Sequence, residues 1–178
     1  MRSENARLRE RVEVLEKENA TLRGVARDAP PPLPTRIVEK RTPEGTLDAT
    51  EPRRVAVTGG SRKTHLLWLE RRPGAADATL WLRAEYSGGV YRYAKTMDLM
   101  LDGGTRSLPI ATYDSTPITT GMAHRPVRRD HEMLSVPIDA SVLAMLGRTA
   151  TFTGKVRRTS FVVPAEALAS IRALARRP

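Results

Sequence analysis

The 178-residue chain contains no cysteine. That excludes disulfides, thiol nucleophiles, iron–sulfur clusters and Cys-ligated zinc. It leaves the redox compartment open. Aromatic residues are scarce at 4%, so a core must rest on Leu, Val, Ile, Met and Ala. No apolar run is long enough to span a bilayer, and the N-terminal stretch is too charged for a signal peptide. A soluble chain without an export signal is therefore expected, and the compartment stays undecided between cytoplasm and envelope. Common nucleophile and metalloprotease signatures are also missing. There is no G-x-S-x-G and no H-E-x-x-H, although His131–Glu132 begins the latter pattern.

What is present begins with a heptad repeat over residues 1–27. Leu8, Leu15 and Leu22 recur every seven residues, with Met1 in the same phase. Placing them at position d puts Asn5, Val12 and Asn19 at position a. Val at a with Leu at d favours two parallel strands, and Asn at a fixes register at some cost in stability. The flanking charges agree. In a parallel pair, Glu4 reaches Arg9, Arg11 reaches Glu16 and Glu18 reaches Arg23, each with opposite sign. An antiparallel pair would set Arg11 against Arg11 and Glu4 against Glu18. The pattern predicts a parallel self-associating coil held by Asn5, Leu8, Val12, Leu15, Asn19 and Leu22. A lone helix of this length is marginal in water, and a homodimer is expected ahead of a trimer.

The stretch LRERVEVLEKENATLR resembles the leucine zippers of bZIP transcription factors. In those proteins a basic helix immediately before the zipper enters the major groove. No such helix precedes this zipper in the sequence, so the resemblance implies association and not DNA reading.

Residues 28–52 read as a linker. Ala29–Pro34 (APPPLP) suits an extended polyproline spacer, or a PxxP ligand for an aromatic groove. The remainder is charged, with Pro43, Gly45 and Pro52 and at most one edge strand near Arg36–Lys40.

From Arg53 to Pro178 the pattern has period two. Val55 and Val57 alternate before Gly59–Gly60, and a Leu- and Trp-rich run covers Lys63–Arg71. Leu80, Leu82 and Ala84 alternate with Trp81, Arg83 and Glu85. Ser87–Gly89 reads as a hairpin turn into a strand over Val90–Lys95. Met97, Leu99 and Leu101 alternate up to the turn Asp102–Gly104, and Arg106–Tyr113 follows as a strand weakened by Pro109. Residues 114–129 look like a loop, and Glu132–Ile138 like a strand. Asp139 suits the N-cap of a helix over Ala140–Leu146, with Gly147 after it. Thr149–Arg157 alternates again and Phe161–Val163 adds a strand. Pro164 fits the first turn of a last helix striped with Leu168, Ile171, Leu174 and Ala175. Short strands at intervals of about ten residues predict a mainly β fold. The expected form is an antiparallel β-sandwich or barrel-like domain with two short helices, preceded by the coiled-coil helix.

Two motifs suggest chemistry. Val55–Leu67 (VAVTGGSRKTHLL) mimics a phosphate loop, but only four residues separate Gly59 from Lys63 where a Walker A loop needs six, and Arg62 stands in place of its second glycine. A β-turn is the expected reading of Gly59–Gly60. His124, His131 and Glu132 could be drawn as a two-His, one-carboxylate metal site, but the spacing matches no ligand pattern. No catalytic, cofactor or metal residue is assigned.

The net charge is +10 at pH 7. The basic residues are spread along the chain and not interleaved with aromatics, which argues against nucleic acid. Two groups are dense enough to receive an acidic partner: Arg125, Arg128 and Arg129, and Lys155, Arg157 and Arg158.

The region from Arg53 onward resembles uncharacterised β-sandwich domains of bacterial envelope proteins and lipoproteins. The resemblance rests on the order of WLRAEY, LDG, VPIDASVLAML and FVVP followed by a helix. It implies an envelope association and carries no catalytic residue. The lipidated Cys of such proteins has no counterpart here. The combined expectation is a non-enzymatic scaffold that displays a β domain through a coiled coil to a protein partner. A basic nucleic-acid or anionic-surface binder is the first alternative, and a small β-fold enzyme the second.

Overall fold

Alternation of apolar and polar side chains places the core. Leu80, Leu82 and Ala84 are buried on one face of their strand, and Leu134, Val136 and Ile138 on the next. Met97, Leu99 and Leu101 do the same further round. A computed structural model describes Arg11 and residues 35–58, 64–85, 91–120 and 127–178, without the side chains of residues 120 and 127–129. The heptad positions Asn5, Leu8, Val12, Leu15, Asn19 and Leu22 lie outside the described residues.

The strands are β1 (Ile37–Thr42), β2 (Gly45–Thr50), β3 (Arg53–Thr58), β4 (His65–Arg71), β5 (Ala78–Ala84), β6 (Thr96–Leu101), β7 (Gly104–Pro109), β8 (Thr112–Thr120), β9 (Val127–Ile138), β10 (Phe152–Val156) and β11 (Thr159–Val162). Helices α1 (Ala140–Leu146) and α2 (Ala165–Ala175) complete the described elements. All strand pairs are antiparallel, in the order β7-β6-β10-β11-β3-β4-β5-β9-β8, and β2 joins β4 with β1 outside it. The sheet curls into a half-barrel. Both helices follow the same end of it, after the last residues of β9 and β11, and α2 packs against β2, β4 and α1.

The helix signals carry through. The Asp139 carboxylate accepts from the Val142 amide at 2.9 Å and the Ser141 hydroxyl at 2.7 Å. Those bonds, the Val142 amide first, hold its carboxyl below the usual carboxylate range. Gly147 follows α1 as expected, yet its φ of −62° is right-handed, so no left-handed turn requires the glycine. Pro164 is the N-cap of α2, one residue before its first turn.

Four expectations are corrected. The linker assigned to residues 28–52 is, from Ile37 on, a hairpin of the sheet. Its charges sit on a strand with no fully buried residue, and Lys40 stacks over the Trp68 ring at 5.8 Å while bonding Glu70 Oε1 at 2.6 Å. Second, Tyr91–Ala94 is a turn closed by the Ala94 amide on the Tyr91 carbonyl at 2.8 Å, where a strand over Val90–Lys95 was expected. Third, the loop expected at 114–129 is largely sheet, because β8 runs to Thr120 and β9 starts at Val127. Strand β8 (TYDSTPITT) is a sheet edge exposed on much of both faces, so it has no hydrophobic alternation to read, and an edge tolerates Pro117. The strand expected over Arg106–Tyr113 is likewise split at Ile110–Ala111, where the chain passes from β7 to the opposite edge.

One close approach sets the β10–β11 pair. Gly154 faces Phe161 across the ladder, and a Cβ at Gly154 would meet the Phe161 ring at 2.1 Å. Phe161 is fully buried and packs edge-on to Phe152. Gly154→Ala therefore forces the ring out of its place and is expected to cost about 1–3 kcal/mol. Denaturant melts check this, with an unchanged midpoint as the contrary result.

Candidate functional site

The antiparallel register sends four connections to the end of the half-barrel opposite the helices. They join β3 to β4, β5 to β6, β8 to β9 and β10 to β11. Arg157 and Arg158 are the whole of the β10–β11 turn, between the paired residues Val156 and Thr159, and both are exposed. Arg157 has φ +54°, a left-handed conformation that costs a non-glycine residue about 1–2 kcal/mol. Lys155, exposed in β10, stands opposite Asp98 of β6. Arg92, Tyr93 and Lys95 follow Tyr91 on the β5–β6 connection and are exposed, Tyr93 to 73%. The Arg92 guanidinium lies 5.7 Å from the Tyr93 ring centre.

Of the two basic groups singled out in the sequence, Lys155, Arg157 and Arg158 thus share this rim with Arg92 and Lys95. Arg128 and Arg129 lie in the first turns of the β8–β9 ladder, opposite Thr119 and Ile118. Their side chains, and Arg125 entirely, lie outside the described residues. Among the described ion pairs, none uses Arg92, Lys95, Lys155 or Arg158. Opposite charges are matched elsewhere, for example Arg72 with Glu44 at 2.8 Å and Arg177 with Asp48 at 2.7 Å. The groove of about 380 Å³ at the far end, between Glu44, Leu47, Arg72, Asp77 and Trp81, has part of its charge paired in this way.

Beneath the rim is a buried polar cluster. His65, Tyr91 and Glu132 are 2%, 1% and 0% exposed. His65 starts β4 and sits opposite Ala84, which sits opposite Glu132, so β4, β5 and β9 bring the two together. His65 Nε2 is 2.6 Å from the Tyr91 hydroxyl. Glu132 Oε1 accepts both the Tyr91 amide and the Tyr113 hydroxyl at 2.9 Å. Glu132 Oε2 is buried with no hydrogen-bond partner among the described residues. A buried carboxylate of this kind is costly and tolerates little movement of its donors. It anchors the backbone at Tyr91 and so fixes the turn that carries Arg92, Tyr93 and Lys95.

Burial pushes the Tyr91 phenol up to about 12, with the Glu132 charge adding and a Thr159 hydrogen bond opposing. Burial also raises Tyr113, again with Glu132 adding and Ser115 and Arg92 opposing. Of the three residues drawn as metal ligands, the two that are described part company. His131 and Glu132 are neighbours on β9 and therefore face opposite sides of the sheet, while His124 lies outside the described residues. The strands flanking Gly59–Gly60 pair with each other, whereas a Walker A loop needs a strand followed by a helix. The glycines themselves lie outside the described residues.

Comparison with family models, curated proteins and solved structures finds no match to this chain. The rim is therefore interpreted from its own geometry. Sequence reading missed Tyr91, Arg92, Tyr93 and Lys95 because a lone buried Tyr in a turn has no periodic signature. Glu132 did carry a signal. It has the same parity as Leu134, Val136 and Ile138, which marks the inward face of β9.

The Tyr91 value carries a pH dependence. Its proton is held more tightly in the folded chain, at about 12, than at the ordinary phenol value of 10.0. Its contribution to stability is then full below pH 10 and lost as pH rises from 10 to 12. Two pKa units correspond to roughly 2–3 kcal/mol. Tyr91→Phe removes this titration. The stability gap between native chain and variant should stay flat below pH 10 and narrow between pH 10 and 12 in denaturant melts. A gap that stays constant to pH 12 contradicts the assignment.

Proposed function

We propose that the chain is a non-catalytic binding protein. Its half-barrel engages an acidic partner through the cationic rim, and the N-terminal zipper presents two parallel copies of that rim. One observation supports the first part above others. Cations far apart in sequence, Arg92 and Lys95 on one connection and Lys155, Arg157 and Arg158 on another, share one end of the sheet. The left-handed Arg157 strengthens the reading, because glycine would occupy that position without strain. The polar cluster below is buried from solvent and acts by positioning the rim.

The second part rests on the heptads of residues 1–27 and on their charge pattern. Two rims on one coil bind a repeated anionic surface with an effective concentration in place of a second encounter. An acidic protein is the partner the sequence reading favours, and a polyanion of phosphates is the competing class.

The test is retention on immobilised heparin, used as a generic polyanion, for the full chain, for Arg157→Glu with Arg158→Glu, and for a chain lacking residues 1–34. The full chain should bind with affinity that falls steeply with salt. Charge reversal should weaken it about tenfold or more. Removal of residues 1–34 should halve the mass by light scattering and lower apparent affinity on the resin. Unchanged retention after charge reversal overturns the rim, and an unchanged mass after truncation overturns the zipper.

A further inference from the structure

We infer that the rim's partner is single-stranded nucleic acid, with Tyr93 as the surface on which a base stacks. The inference rests on the cationic-rim reading and adds the partner's chemistry. Tyr93 is the feature an acidic protein would leave unexplained. It is 73% exposed in a chain with only eight aromatic residues, counted as two Trp, four Tyr and two Phe. The other large aromatics described are placed differently. Tyr91, Phe152 and Phe161 are in the core, Trp68 and Trp81 stack on each other, and half-buried Tyr113 donates its hydroxyl to Glu132.

Tyr93 also has the right neighbours. Arg92 lies over its ring at 5.7 Å, and Lys95 follows two residues on. Base stacking on an aromatic ring, with arginine and lysine tracking the backbone, is how proteins hold unpaired strands without reading sequence. Most of the rim cations are arginine, whose planar fork matches phosphate oxygens. The closed Tyr91–Ala94 turn and the Glu132 anchor hold the platform in place before binding, which reduces the entropy lost on association. The geometry disfavours duplex DNA. Both described helices lie at the other end of the half-barrel, so neither can enter a major groove from the rim. Stacking further requires bases already out of a duplex.

The experiment is fluorescence anisotropy of fluorescein-labelled dT12, the matching 12-base-pair duplex, and a labelled twelve-residue oligoglutamate. Each is titrated with the full chain, Tyr93→Ala, Tyr93→Phe, and the Arg157→Glu with Arg158→Glu double variant. Tyr93 is exposed, so these variants fold if the native chain does, and circular dichroism melts verify it. dT12 should bind more tightly than duplex or oligoglutamate. Tyr93→Ala should weaken dT12 by roughly fivefold to a hundredfold, with Tyr93→Phe close to native and oligoglutamate unaffected. If charge reversal weakens every probe but Tyr93→Ala changes none, the rim stands and the nucleic-acid inference fails. Tighter binding of oligoglutamate than of dT12 also overturns it, in favour of an acidic protein. If charge reversal changes nothing, the rim reading itself fails.

Discussion

The Glu132 carboxylate is the constraint around which one end of this molecule is arranged. It lies fully buried on the inner face of β9, with one oxygen accepting from the Tyr91 amide and the Tyr113 hydroxyl. A carboxylate in the core must be matched by donors, since an unmatched one costs several kcal/mol. Its donors come from two places the sheet does not otherwise join, the turn after β5 and the edge strand β8. Satisfying Glu132 therefore ties the connection that carries Arg92, Tyr93 and Lys95 to both a central and an edge strand. The Tyr91 ring, once placed, meets His65 edge-on at 5.7 Å and closes the core beneath the rim.

The two ends of the half-barrel divide their work. At the helix end, charges are matched internally and turns are pinned. Asp102, for example, accepts from the Ala150 and Thr151 amides at 2.8 Å and so fastens the β6–β7 turn to the chain entering β10. Arg176 donates to the Gly147 carbonyl at 2.6 Å, locking α2 to the end of α1. At the rim end, Arg92, Lys95, Lys155, Arg157 and Arg158 are exposed, and Arg157 occupies a left-handed backbone position.

Much of the fold was legible because local rules and packing agree there. The parity of Leu80, Leu82 and Ala84, the turn at Asp102–Gly104, and the Asp139 cap each speak through neighbouring residues. Strands β1, β2 and β8 were not legible. Strand β1 has no fully buried residue, β2 buries only Ala49 and Thr50 at its end, β8 is exposed along much of its length, and pairing with β2, β4 and β9 makes them strands. The rim was half legible. Lys155, Arg157 and Arg158 stand out by density, but their meeting with Arg92 and Lys95 at one end follows from long-range register, which composition does not encode. Tyr93 is exposed beside Arg92 because of a turn that the sequence pattern presents as a strand.

The most direct measurement is native-state hydrogen exchange at the Tyr91 amide, in the native chain and in Glu132→Ala. If Glu132 anchors the rim, the Tyr91 amide exchanges as slowly as the amides of β5 and β9 in the native chain, and at least tenfold faster in the variant while β5 stays protected. Rapid exchange in the native chain, or equal rates in both, would contradict the account, because the turn that displays the rim would then owe nothing to the carboxylate beneath it.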